Sequence, residues 1–457
     1  MSPHISQSAV ADGTIRAPHA RHDALPVPRR RPRSILLPDH RQLAFTAAFL
    51  FIIKEVFGGI FRYLTVATGT EALNYLPPFI AILAIYFYYA NAIANGRVDY
   101  AMAALAAFLA IFGFFACFNS ISLTQNGIGI YIWLPLFLGV LLRTQGQEDI
   151  LFKWMLPIWG IAVVGIILNS FVEFPWTGTT YEVLGVQREV ARKWAYLDYD
   201  RLAGFGRSSF TTSYLIVFYC CAILYSRKYA LLLRLGCYAI SFYALFLSTS
   251  KTSLALWAAI PIFLIGYEVC KLIFPARLLL PYFWAKSTIV FLIILVIGLP
   301  LWSEVPNLLH DRQTFYFFSF ASLLERMQYA WPTSLDLLSY GGNFVLGRGI
   351  GGIGTAQKFT EPDLYMFADN LFVYVFVSTG IVGVIALFYG LIAKLRADYR
   401  YDRERFDTTF FLLLYILGIG ITVNTIEGPF QALVLGILVA RGMTPRGSRK
   451  YRKAPVG

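Results

Sequence analysis

From residue 42 onward the chain alternates between apolar runs and short polar interruptions. The runs fall at 42–65, 74–95, 99–118, 126–142, 152–171, 208–226, 232–250, 252–270, 286–302, 370–394, 408–424 and 428–441. Most approach the roughly 20 residues that a helix needs to cross a hydrocarbon layer. The pattern predicts an all-α polytopic membrane protein of about 12 transmembrane helices. Two interruptions are long, 172–207 and 302–369, and polar segments flank the bundle at 1–41 and 442–457.

Composition agrees with this class. Hydrophobic residues make up 57% of the chain, charged residues only 14%, and mean hydropathy is +0.60, whereas roughly a quarter of a soluble domain is charged. A net charge of +13 raises nucleic acid as a partner, but where the charge sits decides otherwise. Most of the 39 basic residues fall in the two terminal segments and in every second short loop, as the positive-inside rule requires when both termini are cytoplasmic. That excludes a nucleic-acid role and turns 172–207 and 302–369 into loops on the outer side of the membrane. Residues 1–41, with Pro26-Val27-Pro28-Arg29-Arg30-Arg31-Pro32-Arg33, read as a disordered basic tail. It contains no short apolar core followed by a small-residue cleavage site, so no removable signal peptide is expected. All five cysteines lie in apolar runs without metal or redox spacing and read as packing residues.

Basic residues in outward loops run against the topological bias and need a reason. The first loop carries Arg188, Arg192, Lys193, Arg201 and Arg207, ending at Ser208 where a spanning helix begins. Arginine's planar fork suits phosphate oxygens, and a helix N-terminus adds N–H groups for the same anion; ion pairing with Glu189, Asp198 and Asp200 is the plainer alternative. Leu247-Ser248-Thr249-Ser250-Lys251-Thr252-Ser253 makes a hydroxyl-rich turn on the same side, which serves equally as an ordinary helix cap. The second loop holds Arg312, Glu325-Arg326, Trp331 and the run Gly347-Arg348-Gly349-Ile350-Gly351-Gly352, and closes on Asp369-Asn370. The glycine run formally matches G-x-G-x-x-G but has no strand-helix unit around it, so a dinucleotide site is not expected.

Arg201-Leu202-Ala203-Gly204, the Ser250-Lys251 turn, Leu346-Gly347-Arg348-Gly349 and Asp369-Asn370, in this order on a polytopic chain, resemble the O-antigen ligase and polymerase family of bacterial envelope glycosyltransferases. The likeness spans about residues 40 to 440. It implies an inner-membrane enzyme that transfers a glycan from an undecaprenyl-diphosphate carrier to an acceptor hydroxyl, with the bilayer as its setting and chain-length regulators and export proteins as partners. Ligase-like members carry His-Asn at the end of the large loop, whereas this chain has Asp369-Asn370, and its one histidine outside the N-terminal tail is His310. The Asp-Asn form looks more like polymerases of exopolysaccharides. A ligase acting on lipid A core is the first alternative, and a flippase for the same lipid-linked oligosaccharide is the second.

Glycosyl transfer from a lipid diphosphate requires stabilisation of the departing diphosphate and a base for the attacking hydroxyl. The outer loops hold no His/Cys/Asp cluster with ligand spacing, so no metal or other cofactor is expected and arginines take the first task. Arg201 and Arg326 are the catalytic arginines of this reading, and Asp369 or Glu325 is the base. Asp369 could instead cap the next helix, and Glu325 could simply pair with Arg326. Arg207, Lys251, Arg312, Arg348, Asn370 and Trp331 are the expected substrate-binding residues. Tyr196, Tyr199 and Tyr316 are further candidates for stacking on sugars. Lys54, Glu55 and Arg62 interrupt the first apolar run; intramembrane charges are functional candidates by default, but Glu55 and Arg62 are seven apart and so on one helical face, and mutual pairing explains these charges at least as well.

Overall fold

The computed structural model describes residues 38–119, 121–183, 186–196, 199–273, 279–302, 321–401 and 403–442. Among these, every predicted apolar run is helical. In chain order the helices are α1 (His40–Val56), α2 (Gly58–Ala67), α3 (Leu76–Ala94), α4 (Tyr100–Phe118), α5 (Leu123–Gln145) and α6 (Met155–Asn169). They continue as α7 (Ser209–Tyr225), α8 (Leu231–Leu247), α9 (Lys251–Ile273), α10 (Leu279–Leu301), α11 (Leu371–Tyr401), α12 (Arg403–Gly420) and α13 (Pro429–Gly442). Six of them, α3, α4, α5, α9, α10 and α11, are long and apolar enough to cross a membrane, and the pair α1 and α2 makes a seventh if counted as one bent span. Four shorter apolar helices, α6, α7, α8 and α13, complete a mostly helical, membrane-embedded bundle.

Helix starts follow local chemistry. Asp39, Asp99, Ser122 and Ser208 each turn a side-chain oxygen onto an N–H of the first turn of α1, α4, α5 and α7. Each such cap is worth about 1 kcal/mol. At the centre, α5 packs along α13, where Gly139 and Gly436 bring the two backbones so close that a Cβ on either would lie 3.0 Å from the other's Cα. Small residues at such a crossing are how apolar helices gain contact when burial from water offers little driving force. Phe218 of α7 is buried against the rings of Phe411, Tyr415 and Phe430, tying α7 to α12 and α13.

Two helices break, and in each case a distant loop satisfies the orphaned backbone. The chain bends by 91° between α1 and α2. The amide of Gly59 at the start of α2 donates to the Phe205 carbonyl at 2.9 Å, and Ile60 reaches the same oxygen at 3.5 Å. This bend also removes the shared helical face on which pairing rested: Glu55 and Arg62 fall on different helices, and Arg62 donates to the Tyr181 hydroxyl at 2.9 Å.

Helix α11 is interrupted at Gly380, with φ 62° and ψ −165°, a conformation essentially restricted to glycine. The segment 344–349 inserts there. Arg348 and Gly349 amides donate to the freed carbonyls of Val377 and Ser378 at 2.7 and 3.0 Å, and the Ile381 and Val382 amides donate to Phe344 and Val345 carbonyls at 3.0 and 3.3 Å. A broken helix inside a bilayer is tolerable only when its backbone groups are re-paired in this way.

The first long loop is not wholly irregular. It forms two antiparallel hairpins, β1 (Thr180–Val183) with β2 (Val186–Glu189), and β3 (Trp194–Tyr196) with β4 (Tyr199–Arg201). At the opposite end of the bundle, a buried Lys394–Asp398 pair joined by Thr409 links α11 to α12, and Lys271 reaches Asp407 at 3.1 Å, linking α9 to α12.

Candidate functional site

The loops between α6 and α7 and between α10 and α11, the start of α2, and the turn between α12 and α13 meet at one end of the bundle. Aromatic packing anchors the first loop, since Phe205 stacks with Phe57 and Phe174 at centroid distances of 6.2 and 5.5 Å. The Arg192 amide donates to the Arg207 carbonyl at 2.9 Å, folding the loop back on itself. The Arg188 guanidinium sits 4.4 Å from the centroid of the Phe359 ring, joining the first loop to the second.

This folding gathers like charge. Burial lowers the affinity of Arg207 for its proton, and the charges of Arg62, Arg192 and Arg188 lower it further. Arg188 is lowered mainly by burial as well, partly offset by the Tyr181 phenol. Lys358 is lowered by burial and then by Arg192, Arg188 and Arg207. The Nε atoms of Arg62 and Arg207 are buried without a hydrogen-bond partner. Cations crowded in a partly desolvated recess repel one another, and an anion among them would relieve the repulsion.

Beside this cluster lies a carboxylate centre. Arg326 Nε donates to Asp369 Oδ2 at 3.0 Å, from a π-helical turn over Arg326–Ala330. Trp331 Nε1 donates to the Asp369 carbonyl at 3.4 Å, fixing the backbone. The Asp369 side chain is 32% exposed, yet burial raises its pKa; Arg326 opposes the rise, followed by Arg192, and exposed Glu325 adds to it. A second carboxylate, Glu427, accepts from the Thr355 amide at 2.6 Å. Its pKa is raised by burial and by the charge of Asp369, against the lowering effect of Thr355 and Arg192. Burial and then Glu427 also raise the phenol of Tyr365. Arg192 thus acts on both groups, the cations on one side and Asp369 and Glu427 on the other.

Arg201 comes to this centre from β4. Its guanidinium lies 5.4 Å from the Phe210 ring centroid, its charge reaches Lys251, and Tyr214 feels Arg326, Asp369 and Arg201 together. Arg201 thus acts electrostatically on Lys251, and on Tyr214 together with the Arg326–Asp369 pair, although the four come from separate stretches of chain. In the hydroxyl-rich turn, Ser250 shares a hydrogen bond with Ser253 at 2.7 Å across the first turn of α9.

Three expected binding residues have other work. Asn370 is fully buried: its Oδ1 caps Val373 at 3.0 Å, while its Nδ2 donates to the Val296 and Ile421 carbonyls at 3.0 and 2.9 Å. Asn370, not Asp369, is thus the cap of α11. Trp331 is also fully buried and presents no face to a sugar. Arg348 is 1% exposed; it donates to the Gly352 carbonyl at 2.7 Å and pairs with Glu361 at 3.2 Å, so it holds the inserted segment. Arg312, Asp198, His310 and Tyr316 lie outside the described residues, as do the side chains of Tyr196 and Tyr199.

Arg188 and Arg192, noted as outward basic residues, and Arg62, noted as a charge in the first run, join the site, and Glu427 belongs to it although the pattern of runs and loops did not single it out. The signal for Glu427 is its position in Asn424-Thr425-Ile426-Glu427-Gly428, a polar break between the last two apolar runs. Among the described residues no three His, Cys, Asp or Glu side chains converge to hold a metal ion. Comparison with known families, curated proteins and solved structures gives no match for this chain.

Proposed function

We propose that the protein is a polysaccharide polymerase of the bacterial inner membrane, joining undecaprenyl-diphosphate-linked oligosaccharide repeat units at the periplasmic face. In this reading all twelve apolar runs span the bilayer, with the bent pair as one of them, and both termini are cytoplasmic. The observation that carries the proposal is the carboxylate Asp369, held by Arg326 and set beside a recess of crowded arginines. Asp369 takes the proton of the acceptor hydroxyl as that oxygen attacks the anomeric carbon. The bond from that carbon to the phosphate oxygen breaks, and the electron pair leaves with the undecaprenyl diphosphate. Arg207, Arg188, Arg192 and Arg62 bind the diphosphate and stabilise the charge it gains, with Arg201 and Lys251 beside them.

The test is reconstitution in proteoliposomes with undecaprenyl-diphosphate-linked repeats. A ladder of linked repeats is expected; unchanged single repeats would remove the proposal, and transfer to added lipid A core would make the protein a ligase. The orientation is tested separately by fusions, a phosphatase near Gly341 being active and one near Arg403 inactive.

The broken helices favour a second reading, a transporter of the same lipid-linked oligosaccharide, because discontinuous helices line the binding sites of many secondary transporters. Movement of labelled carrier across the proteoliposome membrane without any ladder would select it. The polymerase reading is preferred because the crowded arginines and Asp369 lie in and beside the loops at one end of the bundle.

A further inference from the structure

At the end of the bundle away from this site, α1 begins and α3 finishes. Between them lies a recess of about 610 Å³ whose polar lining includes His40, Arg41, Asn91, Asn95 and Arg97, with Tyr88 at its buried wall. We propose that this recess binds the phosphate headgroup of an anionic phospholipid in the adjoining leaflet. The proposal is independent of the polymerase reading.

No ion pair compensates the charge of the recess among the described residues: Arg41 and Arg97 form none among them, although two carboxylates stand nearby. Asp39 accepts from the Arg41 amide at 3.0 Å and Asp99 from the Ala101 amide at 2.9 Å, so each caps a helix. The wall is set by protein contacts: Tyr88 accepts from the Asp99 amide at 2.9 Å and meets the His40 ring edge-on at 5.8 Å. Asn95 Nδ2 is spent on Asn91, whose carbonyl and side-chain oxygens lie 2.7 Å away. What remains open is a pair of guanidinium forks, which suit phosphate oxygens.

The neighbouring surface argues for a lipid as the source of that phosphate. Phe79, Ile82, Tyr86 and Ile93 are exposed along α3 at spacings of three, four and seven, which puts them on one face. The stripe leads to the recess and ends at Ile93, 73% exposed, just before Asn95 and Arg97. A headgroup in the recess would thus leave its acyl chains along an apolar helix face, the arrangement of basic interhelical pockets that retain anionic lipids.

The experiment is native mass spectrometry of the purified full chain with dioleoyl-phosphatidylglycerol or dioleoyl-phosphatidylcholine at equal concentration. The native protein is expected to retain phosphatidylglycerol preferentially, and Arg41→Gln/Arg97→Gln to lower that retention roughly tenfold. Asn95→Asp, which leaves both arginines in place but adds a carboxylate, should lower it as well, and guards against loss of the double variant through misfolding. Equal retention of the two lipids, or unchanged phosphatidylglycerol binding in both variants, overturns the proposal. Displacement by excess inorganic phosphate also overturns it, by making the site one for free phosphate.

Discussion

Arg326 and Asp369, 43 positions apart, form an ion pair of 3.0 Å, and yet the Asp369 carboxyl is held above its ordinary pKa because burial outweighs the guanidinium beside it. A structural ion pair at a surface does the reverse and lowers the carboxylate. A carboxylate that is paired, partly open and still reluctant to ionise has the properties of a base waiting for a proton.

Asp369→Asn keeps shape and removes the proton acceptor. Since Asn370 rather than Asp369 caps α11, folding should be unaffected while turnover falls by roughly 10²–10⁴. Turnover in the proteoliposome assay, at matched protein levels, checks this; a parental rate would leave Glu427 or Glu325 as the base. Arg326→Ala should lower turnover and weaken carrier binding, and Lys should restore only part, lacking the planar fork.

Activity should depend on pH in a direction set by the raised carboxyls of Asp369 and Glu427. The base works only when ionised, and a raised pKa means that it takes up its proton sooner as pH falls. The acid limb of turnover should therefore lie above the ordinary carboxylate range, which is near 4, and Glu325→Gln should move it down by removing a charge that raises Asp369. A limb at the ordinary value would show that neither group titrates in the reaction.

Gly380→Ala should be among the most damaging small substitutions. Its backbone conformation costs an L-residue about 1–3 kcal/mol, and the new Cβ would collide with the Val345 carbonyl, ejecting the segment that pairs the broken helix. A lower melting temperature in detergent and a reduced yield of folded protein are expected. Unchanged melting would mean that the insertion contributes little to stability.

The arginines should separate into two kinds. Removing buried Arg348 leaves Glu361 without its guanidinium, and breaking such a buried pair costs about 3–5 kcal/mol, so Arg348→Ala should lose stability first. Arg207→Met relieves repulsion from Arg62, Arg192 and Arg188; thermal stability should hold or rise while KM for the lipid-linked substrate increases. Melting curves and kinetics on the same preparations distinguish the two.

Because arginines carry the positive charge in the proposed mechanism, polymerisation should proceed unchanged in EDTA. A strict requirement for added Mg²⁺ or Mn²⁺ would assign the diphosphate to a metal instead.

Helix positions were legible because they rest on local properties. A long apolar run must satisfy its own backbone in a bilayer, and an Asp or Ser before the run caps it whatever lies elsewhere, as Asp39, Asp99, Ser122 and Ser208 do. The polar loops were visible for the same reason, and Arg326 and Asp369 within one of them do pair. Only tertiary structure decided which polar residues face outward. Asn370, Trp331 and Arg348 carry the same donors whether they serve a ligand or the protein's own carbonyls, and burial assigns them to the protein. The bend before α2 and the break at Gly380 were equally hidden: the oxygens and amides that make them tolerable come from Phe205, Phe344 and Val345, residues remote in the chain. Glu427 and Arg192 acquire their place because charge acts through space, between groups that folding alone brings within reach.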